Sequence, residues 1–436
     1  MIIPVKEFRE RMKVIITPSK ARGHIQAPPS KSMAHRMLIC AGCAEGTSVI
    51  RNIDFSEDIL ATIDCLRALG AKITCGDRSV TVRGTDIRKG GGIMEGRRAG
   101  SVPEACETSG EEMPAALACR ESGSTLRFMI PLCLLSGRGY ELSGSSALFS
   151  RPLSVYEEIC SEQGLIFIKD ENRLEVSGIL SPGDYEIPGN VSSQFISGLL
   201  FALPLLRDDS RIRLVPPVES RPYIRMTVQA MEYFGVKAVW EDDCTIAVRG
   251  GQKYRARDAG VEGDYSNAAF FDALNVIGGD VSVEGLEERS LQGDRVYREY
   301  FDRIAEGYAE IDLTDCPDLG PVLMVLAALR HGARFTGTAR LRLKESDRGA
   351  AMKEELGKCG AAVEVRENEI LVAAGASAPG ETLWGHGDHR VVMALVVLLT
   401  RVGGAIDGAE AVAKSFPDFW ERMEELMVPG TINFCL

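Results

Sequence analysis

The sequence contains no apolar run of membrane-spanning length. Its longest candidate, residues 391–399, is closed off by Arg390 and Arg401, well short of the roughly 20 apolar residues a spanning helix needs. An apolar signal core is missing too, because Pro4, Glu7 and Glu10 break up the first residues. The expectation is a soluble, cytoplasmic protein with no membrane partner. Positive charge is in short supply: 50 Lys and Arg stand against 62 Asp and Glu, for a formal net charge of −12. That balance excludes broad nucleic-acid binding, which depends on a cationic face, but leaves room for a basic pocket inside an acidic protein. Histidine is scarce, with five residues, and His386 and His389 stand without the carboxylate-and-histidine helix pattern of a metal site. No metal and no cofactor is expected.

The twelve cysteines lack the dense framework of a small secreted domain, so free thiols are expected. Cys40 and Cys43 form one CxxC inside a predicted helix over 33–44. With no second ligand pair nearby, they read as small packing residues. What is abundant is core-forming material. A chain of 436 residues, 45% hydrophobic and 26% charged, buries more than one comfortable core, and two domains are predicted.

Six times a short polar turn leads into an Ala-, Leu- and Met-rich helical segment, then a glycine or polar turn, then a short strand. The openings fall near Ser32, Ser124, Ser192, Ser266, Asp318 and Asp388; predicted strands following them include 47–51, 140–142, 281–283 and 405–407. Between several copies lies an amphipathic helix ending in glycine, followed by two alternating strands. Gly70 with 72–74 and 80–82, Gly235 with 236–240 and 245–248, and Gly360 with 362–365 and 370–372 are examples. Each unit therefore reads helix, strand, helix, strand, strand. The irregular spacing excludes a solenoid and favours two globular domains of three units each.

Polar turns at helix starts leave backbone N–H groups at the positive end of the dipole, where phosphate or carboxylate is accommodated. A single such turn is ordinary capping. Here cations accompany the turns: Lys31, Arg36, Arg127 and Arg390 follow them, and Arg151, Lys344, Arg348 and Lys414 lie in polar segments near strand ends. Guanidinium forks match phosphate and carboxylate geometry. The residues thus point to a two-domain enzyme that gathers several anionic groups.

The segments Pro29-Ser30-Lys31-Ser32-Met33-Ala34-His35-Arg36, Ser122-Gly123-Ser124-Thr125-Leu126-Arg127, Val191-Ser192-Ser193-Gln194, Leu343-Lys344-Glu345-Ser346-Asp347-Arg348, Asp388-His389-Arg390 and Ala413-Lys414-Ser415-Phe416-Pro417-Asp418 resemble, in order, the motifs of the enolpyruvylshikimate-phosphate synthases. The likeness extends from about Lys13 onward. It implies a two-domain inside-out α/β barrel, each domain three βαβαββ units around a pseudo-threefold axis. Residues 1–28 with 261–436 would form a discontinuous domain and 29–260 an inserted one, with the active site in the cleft between them. It also implies a monomer that transfers the enolpyruvyl group of phosphoenolpyruvate to the 5-hydroxyl of shikimate 3-phosphate.

Carried over by position, the resemblance assigns Lys31, Ser32, Arg36, Ser192, Ser193, Ser220, Tyr223, Asp318 and Lys344 to shikimate 3-phosphate. It assigns Lys31, Gly123, Arg151, Gln194, Arg348, Arg390 and Lys414 to phosphoenolpyruvate. Lys31, Asp318 and Glu345 would move protons. The family is inhibited by the phosphonate glyphosate, which implies inhibition competitive with phosphoenolpyruvate and a need for Gly123. The chain departs from the family pattern at Glu121 and Arg340, where asparagine is common. Glu121 has Arg120 and Arg127 as candidate partners. The stretch 90–114 reads as an inserted loop without chemistry, and Met1 to Arg11 as an extension or a misassigned start. Two rival readings stay open: an enolpyruvyl transferase acting on UDP-N-acetylglucosamine, and a non-catalytic protein that binds phosphate compounds in the same cleft.

Overall fold

A computed structural model describes residues 12–89 and 114–435; the first eleven residues and most of the expected insertion lie outside the described residues. The six predicted openings each start a helix: Lys31–Gly42, Gly123–Cys133, Ser193–Ala202, Tyr265–Val276, Gly320–Leu329 and His389–Val402. In five of them the preceding residue caps the helix, with the side chains of Ser30, Ser122, Ser192, Asp264 and Asp388 accepting a backbone N–H. Gly320–Leu329 instead continues from the short turn Pro317–Leu319, where proline needs no N–H partner. Ser30 is the cap of the first helix, so that helix starts at Lys31, two residues before the predicted 33. All residues of Gly320–Leu329 except the last are buried, as are twelve successive residues of His389–Val402. Helices apolar all round require neighbours on every side.

Those neighbours include one another and the sheets. Five sheets share one strand order: a parallel pair, then two antiparallel strands. In one of them, Ala115–Arg120 pairs parallel with Tyr140–Gly144, which pairs antiparallel with Arg173–Ser177, and that strand with Ile166–Lys169. The buried helix Gly123–Cys133 makes the crossover that a parallel pair demands. Strands such as Ser210–Val215 alternate buried and exposed residues, so each sheet turns one face inward. The glycine-ended helices also occur. Glu57–Ala68, Arg221–Tyr233 and Arg348–Lys358 end near Gly70, Gly235 and Gly360, all at positive φ, the conformation that stops a helix without a side-chain clash. The strand predicted over 236–240 shortens to Ala238–Trp240, because the Val236 N–H closes the helix end on the Met231 carbonyl. The fourth unit is also abbreviated. Its strand Asp280–Glu284 pairs only with Arg22–Gln26, and the following Ala309–Asp312 joins the next sheet.

Two apolar cores result. One draws on residues between Met33 and Val261; the other on Met12 to Ala27 together with Tyr265 to Ile432. The chain passes between them twice, side by side: Ser30 N–H meets the Glu262 carbonyl at 2.8 Å and Asp264 N–H the Pro28 carbonyl at 2.7 Å. Cys40 and Cys43 are buried in the first core with their thiols pushed up by burial, that of Cys43 to about 12. Such inert thiols fit the packing role. Among the described residues no helix is long and apolar enough to cross a membrane.

Candidate active site

Openings of helices from both cores surround one cavity. Every residue assigned above to substrate binding or proton transfer lines it, except Lys414. The reason is topological: the polar turns all precede buried helices, and the ends of those helices gather where the two cores meet.

On the first core's side, Arg36 is locked rather than free. Its Nε donates to Thr227 Oγ1 at 2.9 Å, Nη1 to the Ser32 carbonyl at 2.6 Å and Nη2 to the Tyr223 carbonyl at 3.0 Å, while the guanidinium lies over the Phe128 ring. Burial lowers it to about 10, so it stays charged. Arg127, one helical turn beyond Gly123, donates to Gln194 Oε1 at 2.8 Å and the Pro152 carbonyl at 3.1 Å; its Nε finds no partner. A β-carbon at Gly123 would stand 3.0 Å from both Arg127 Nη1 and Arg151 Nη1. Glycine there lets two guanidinium groups approach the helix start closely.

The second core supplies a dense charge network. Arg348 is almost fully buried and donates to Asp388 at 2.8 Å, Asp318 at 2.7 Å and Glu345 at 2.8 Å. Asp318 also faces Lys344 at 3.0 Å and Arg390 at 3.4 Å. Burial opposes ionisation of Asp318, but Arg390, Lys344 and Arg348 outweigh it and hold the carboxyl well below the ordinary aspartate range. Burial likewise opposes ionisation of Glu345, and the charges of Arg348, Arg151 and Lys31 reverse it. Both carboxylates are therefore held charged by their neighbours.

Contacts across the cleft complete the site. Lys31 pairs with Asp58 at 2.7 Å and its backbone N–H reaches Asp264 at 3.2 Å. The Tyr223 hydroxyl sits 3.0 Å from Asp294 and 3.3 Å from Asp318. Burial, with Asp318 adding to it, pushes Asp294 up to about 6. Arg340 crosses from the second core to bond Ser220 Oγ, with Glu219 3.7 Å from its Nε. Lys414 is not among the residues that line the cavity; it is bonded to the Gly387 carbonyl at 2.9 Å and paired with Glu121 at 2.5 Å. Glu121 thus takes neither of its expected partners; Arg120 turns to Glu57 and Asp64.

Sequence reading missed several lining residues. Arg340 had been set aside for departing from the family pattern, yet it is buried in the cavity wall. His389 stands in the motif Asp388-His389-Arg390 without an assigned role. It lines the cavity with both ring nitrogens unpartnered, and burial, followed by Lys31 and Arg390, keeps it neutral. Arg127 and Asp264 carried a signal, the first in the Gly123 motif and the second opening the fourth repeat. Asp58 carried none.

The chain matches the family model described as EPSP synthase (3-phosphoshikimate 1-carboxyvinyltransferase) over residues 15–423. A curated relative from Clostridium perfringens (strain 13 / Type A), named 3-phosphoshikimate 1-carboxyvinyltransferase, is 37% identical, with 95% of this chain and 98% of the relative covered. One of the same name from Clostridioides difficile (strain 630) is also 37% identical, covering 96% and 98%. Among solved structures, an EPSP synthase from Acinetobacter baumannii superimposes with a TM-score of 0.76 at 22% identity, covering 98% of this chain and all of that one; this likeness speaks for the mixed α/β fold. Matched along nearly its whole length by the family model and by curated relatives above the threshold of chance similarity, the chain belongs to the EPSP synthase family.

Proposed function

We propose that this protein transfers the enolpyruvyl group of phosphoenolpyruvate to the 5-hydroxyl of shikimate 3-phosphate, releasing phosphate through a tetrahedral intermediate. The observation that carries the reading is Asp318: an ionised carboxylate held among Lys344, Arg348 and Arg390 in a cavity that both cores line. A weakly acidic hydroxyl needs such a base as it attacks C2, while the methylene carbon needs an acid.

Glu345 is the acid in this reading, and the cations that hold it charged set a condition. Arg348 and Arg151 keep it ionised; once the phosphate and carboxylate of phosphoenolpyruvate share those cations, their hold weakens and the carboxyl can take up a proton. Lys31, 2.7 Å from Asp58, is the other group able to relay one. Charge developing on the departing phosphate meets cations already fixed in place by the fold. Ser192, Ser193 and Ser220 hold the 3-phosphate, Arg36 the shikimate carboxylate, and Tyr223 the ring. Arg340, bonded to Ser220, adds a positive charge on the phosphate side. Lys414 serves phosphoenolpyruvate through the Gly387 turn or after release from Glu121.

The same reading takes the fold as an inside-out barrel of two domains, 1–28 with 261–436 and 29–260, and the molecule as a monomer. Its support is the pair of cores, the buried helices inside sheets that each expose one face, and the paired crossings. The test is phosphate release from phosphoenolpyruvate with shikimate 3-phosphate, run beside UDP-N-acetylglucosamine. Release that requires shikimate 3-phosphate and falls at least a hundredfold in Lys31→Ala, Asp318→Ala and Glu345→Ala is expected. Release with the nucleotide sugar instead, or with neither acceptor, would overturn it.

A further inference from the structure

Glu355 and His386 do not line the cavity, yet they join the elements that do. Glu355 lies on the helix Arg348–Lys358 with its side chain wholly buried. Its carboxylate takes the Trp384 backbone N–H at 2.9 Å, the His386 Nε2 at 2.8 Å and the Lys358 ammonium at 2.9 Å. A carboxylate of this kind only accepts, so the imidazole donates from Nε2. Burial opposes its ionisation, but the bonds from His386, Lys358 and the Trp384 N–H outweigh it and keep the group charged.

Two of those donors belong to the turn that leads from the strand Leu383–Trp384 into the helix His389–Val402. In that turn His386 and Gly387 are left-handed in succession, with φ of 52° and 64°, a conformation that a side chain disfavours unless its surroundings hold it. The turn delivers two groups, which make three bonds around the cation cluster. The Gly387 carbonyl takes Lys414 Nζ, Asp388 takes Arg348 Nε, and Asp388 also caps the N–H of Arg390. Arg348 and Glu355 are seven residues apart, which puts them on one helix face. That helix is therefore fastened to residues 384–390 at both ends, by Arg348 to Asp388 and by Glu355 to His386.

We infer that Glu355 and His386 are positioning residues: their pairing holds the left-handed turn in register with the helix Arg348–Lys358 and so fixes the spacing of Arg348, Arg390 and Lys414. Substrate touches neither. The inference rests on the reading of those three cations as the phosphoenolpyruvate side. Glu354, Glu355 and His386 also bring ligand atoms within 4.8 Å of one another, but Lys358 already sits 3.3 and 2.9 Å from the two carboxylates. A resident ammonium makes a brace a better fit than a metal site.

The test varies each substrate separately and reads thermal stability in parallel. His386→Gly removes the donor while easing the left-handed backbone. It is expected to keep or raise Tm yet to raise KM for phosphoenolpyruvate about fivefold to tenfold, with KM for shikimate 3-phosphate within twofold of wild type. His386→Gln, which restores a donor, should bring KM for phosphoenolpyruvate back to within twofold, and Glu355→Gln should shift it as His386→Gly does. An unchanged KM for phosphoenolpyruvate in folded His386→Gly, or two KM values that rise together, overturns the brace alone. A wild-type protein without turnover overturns the functional reading and the brace with it.

Discussion

Asp294 illustrates how a buried acid next to a reactive one turns into a stability term. Its folded-state value of about 6 lies above the ordinary aspartate value, mainly through burial and then through Asp318. The native state therefore binds the proton more tightly than the unfolded chain. Stability on this account is fully present in acid and falls as pH rises through 6. Two units correspond to about 3 kcal/mol at most. Asp294→Asn keeps an acceptor for Tyr223 and removes the charge, so Tm should rise at pH 7.5 by several degrees, with the gain shrinking as pH falls toward 4. Equal Tm values at both ends of that range would remove the claim. Arg340 makes a prediction of the opposite kind. Burial lowers its affinity for a proton, with Glu219 compensating, and its guanidinium is bonded to Ser220 and faces Glu219. Arg340→Asn should raise KM for shikimate 3-phosphate about tenfold and leave that for phosphoenolpyruvate within twofold in two-substrate kinetics. Residues of this site were legible where a cation followed a polar turn, as at Lys31, Arg36 and Arg390. They were illegible where the signal lay in three dimensions: Asp58 follows an ordinary helix cap, Ser56, and only folding sets it against Lys31.

At the scale of elements, the periodic signals served well and the ends of segments less so. Alternation placed the strands, and glycine marked where helices stop. Yet the first helix begins at Lys31 because Ser30, not Ser32, captures the Met33 N–H, a choice between two similar serines that local sequence does not settle. The fourth unit looked complete, but its strand Asp280–Glu284 finds only Arg22–Gln26, a pairing across more than 250 residues of chain. In the proposed function helix starts carry the binding groups, and Gly123 tests that directly. Its absent side chain lets Arg127 and Arg151 stand together at one helix opening, where the N–H groups reinforce the same anion. Gly123→Ala should raise KM for phosphoenolpyruvate several-fold and the glyphosate concentration for half-inhibition by more, since the bulkier phosphonate end needs the same space. Unaltered values for both, measured on folded protein, would detach this helix start from the phosphoenolpyruvate side.

Among the described residues two cores are joined by adjacent crossings, and the cavity draws its lining from both. Lys31, Arg36 and the serines come from the first; Asp318, Glu345, Arg348 and Arg390 come from the second. For the proposed reaction, register between the cores is a catalytic variable in its own right, because displacing reacting groups by about 1 Å can cost a hundredfold in rate. Gly263 sits where that register is set. It bridges to Pro29, beside the Asp264 whose side chain takes the Lys31 N–H. A β-carbon at Gly263 would fall 2.4 Å from the Gly285 carbonyl oxygen and 3.2 Å from the Ala27 side chain, so the crossing itself must shift. A change on one wall, such as Arg340→Asn, should move one KM. Gly263→Ala should instead raise both KM values and lower kcat, by about tenfold each, with circular dichroism unchanged because both cores remain intact. If only one substrate were affected, the crossing would merely carry the chain between the cores. Loss in both would mean that the bridge between Pro29 and Gly263 aligns the two halves of one active site.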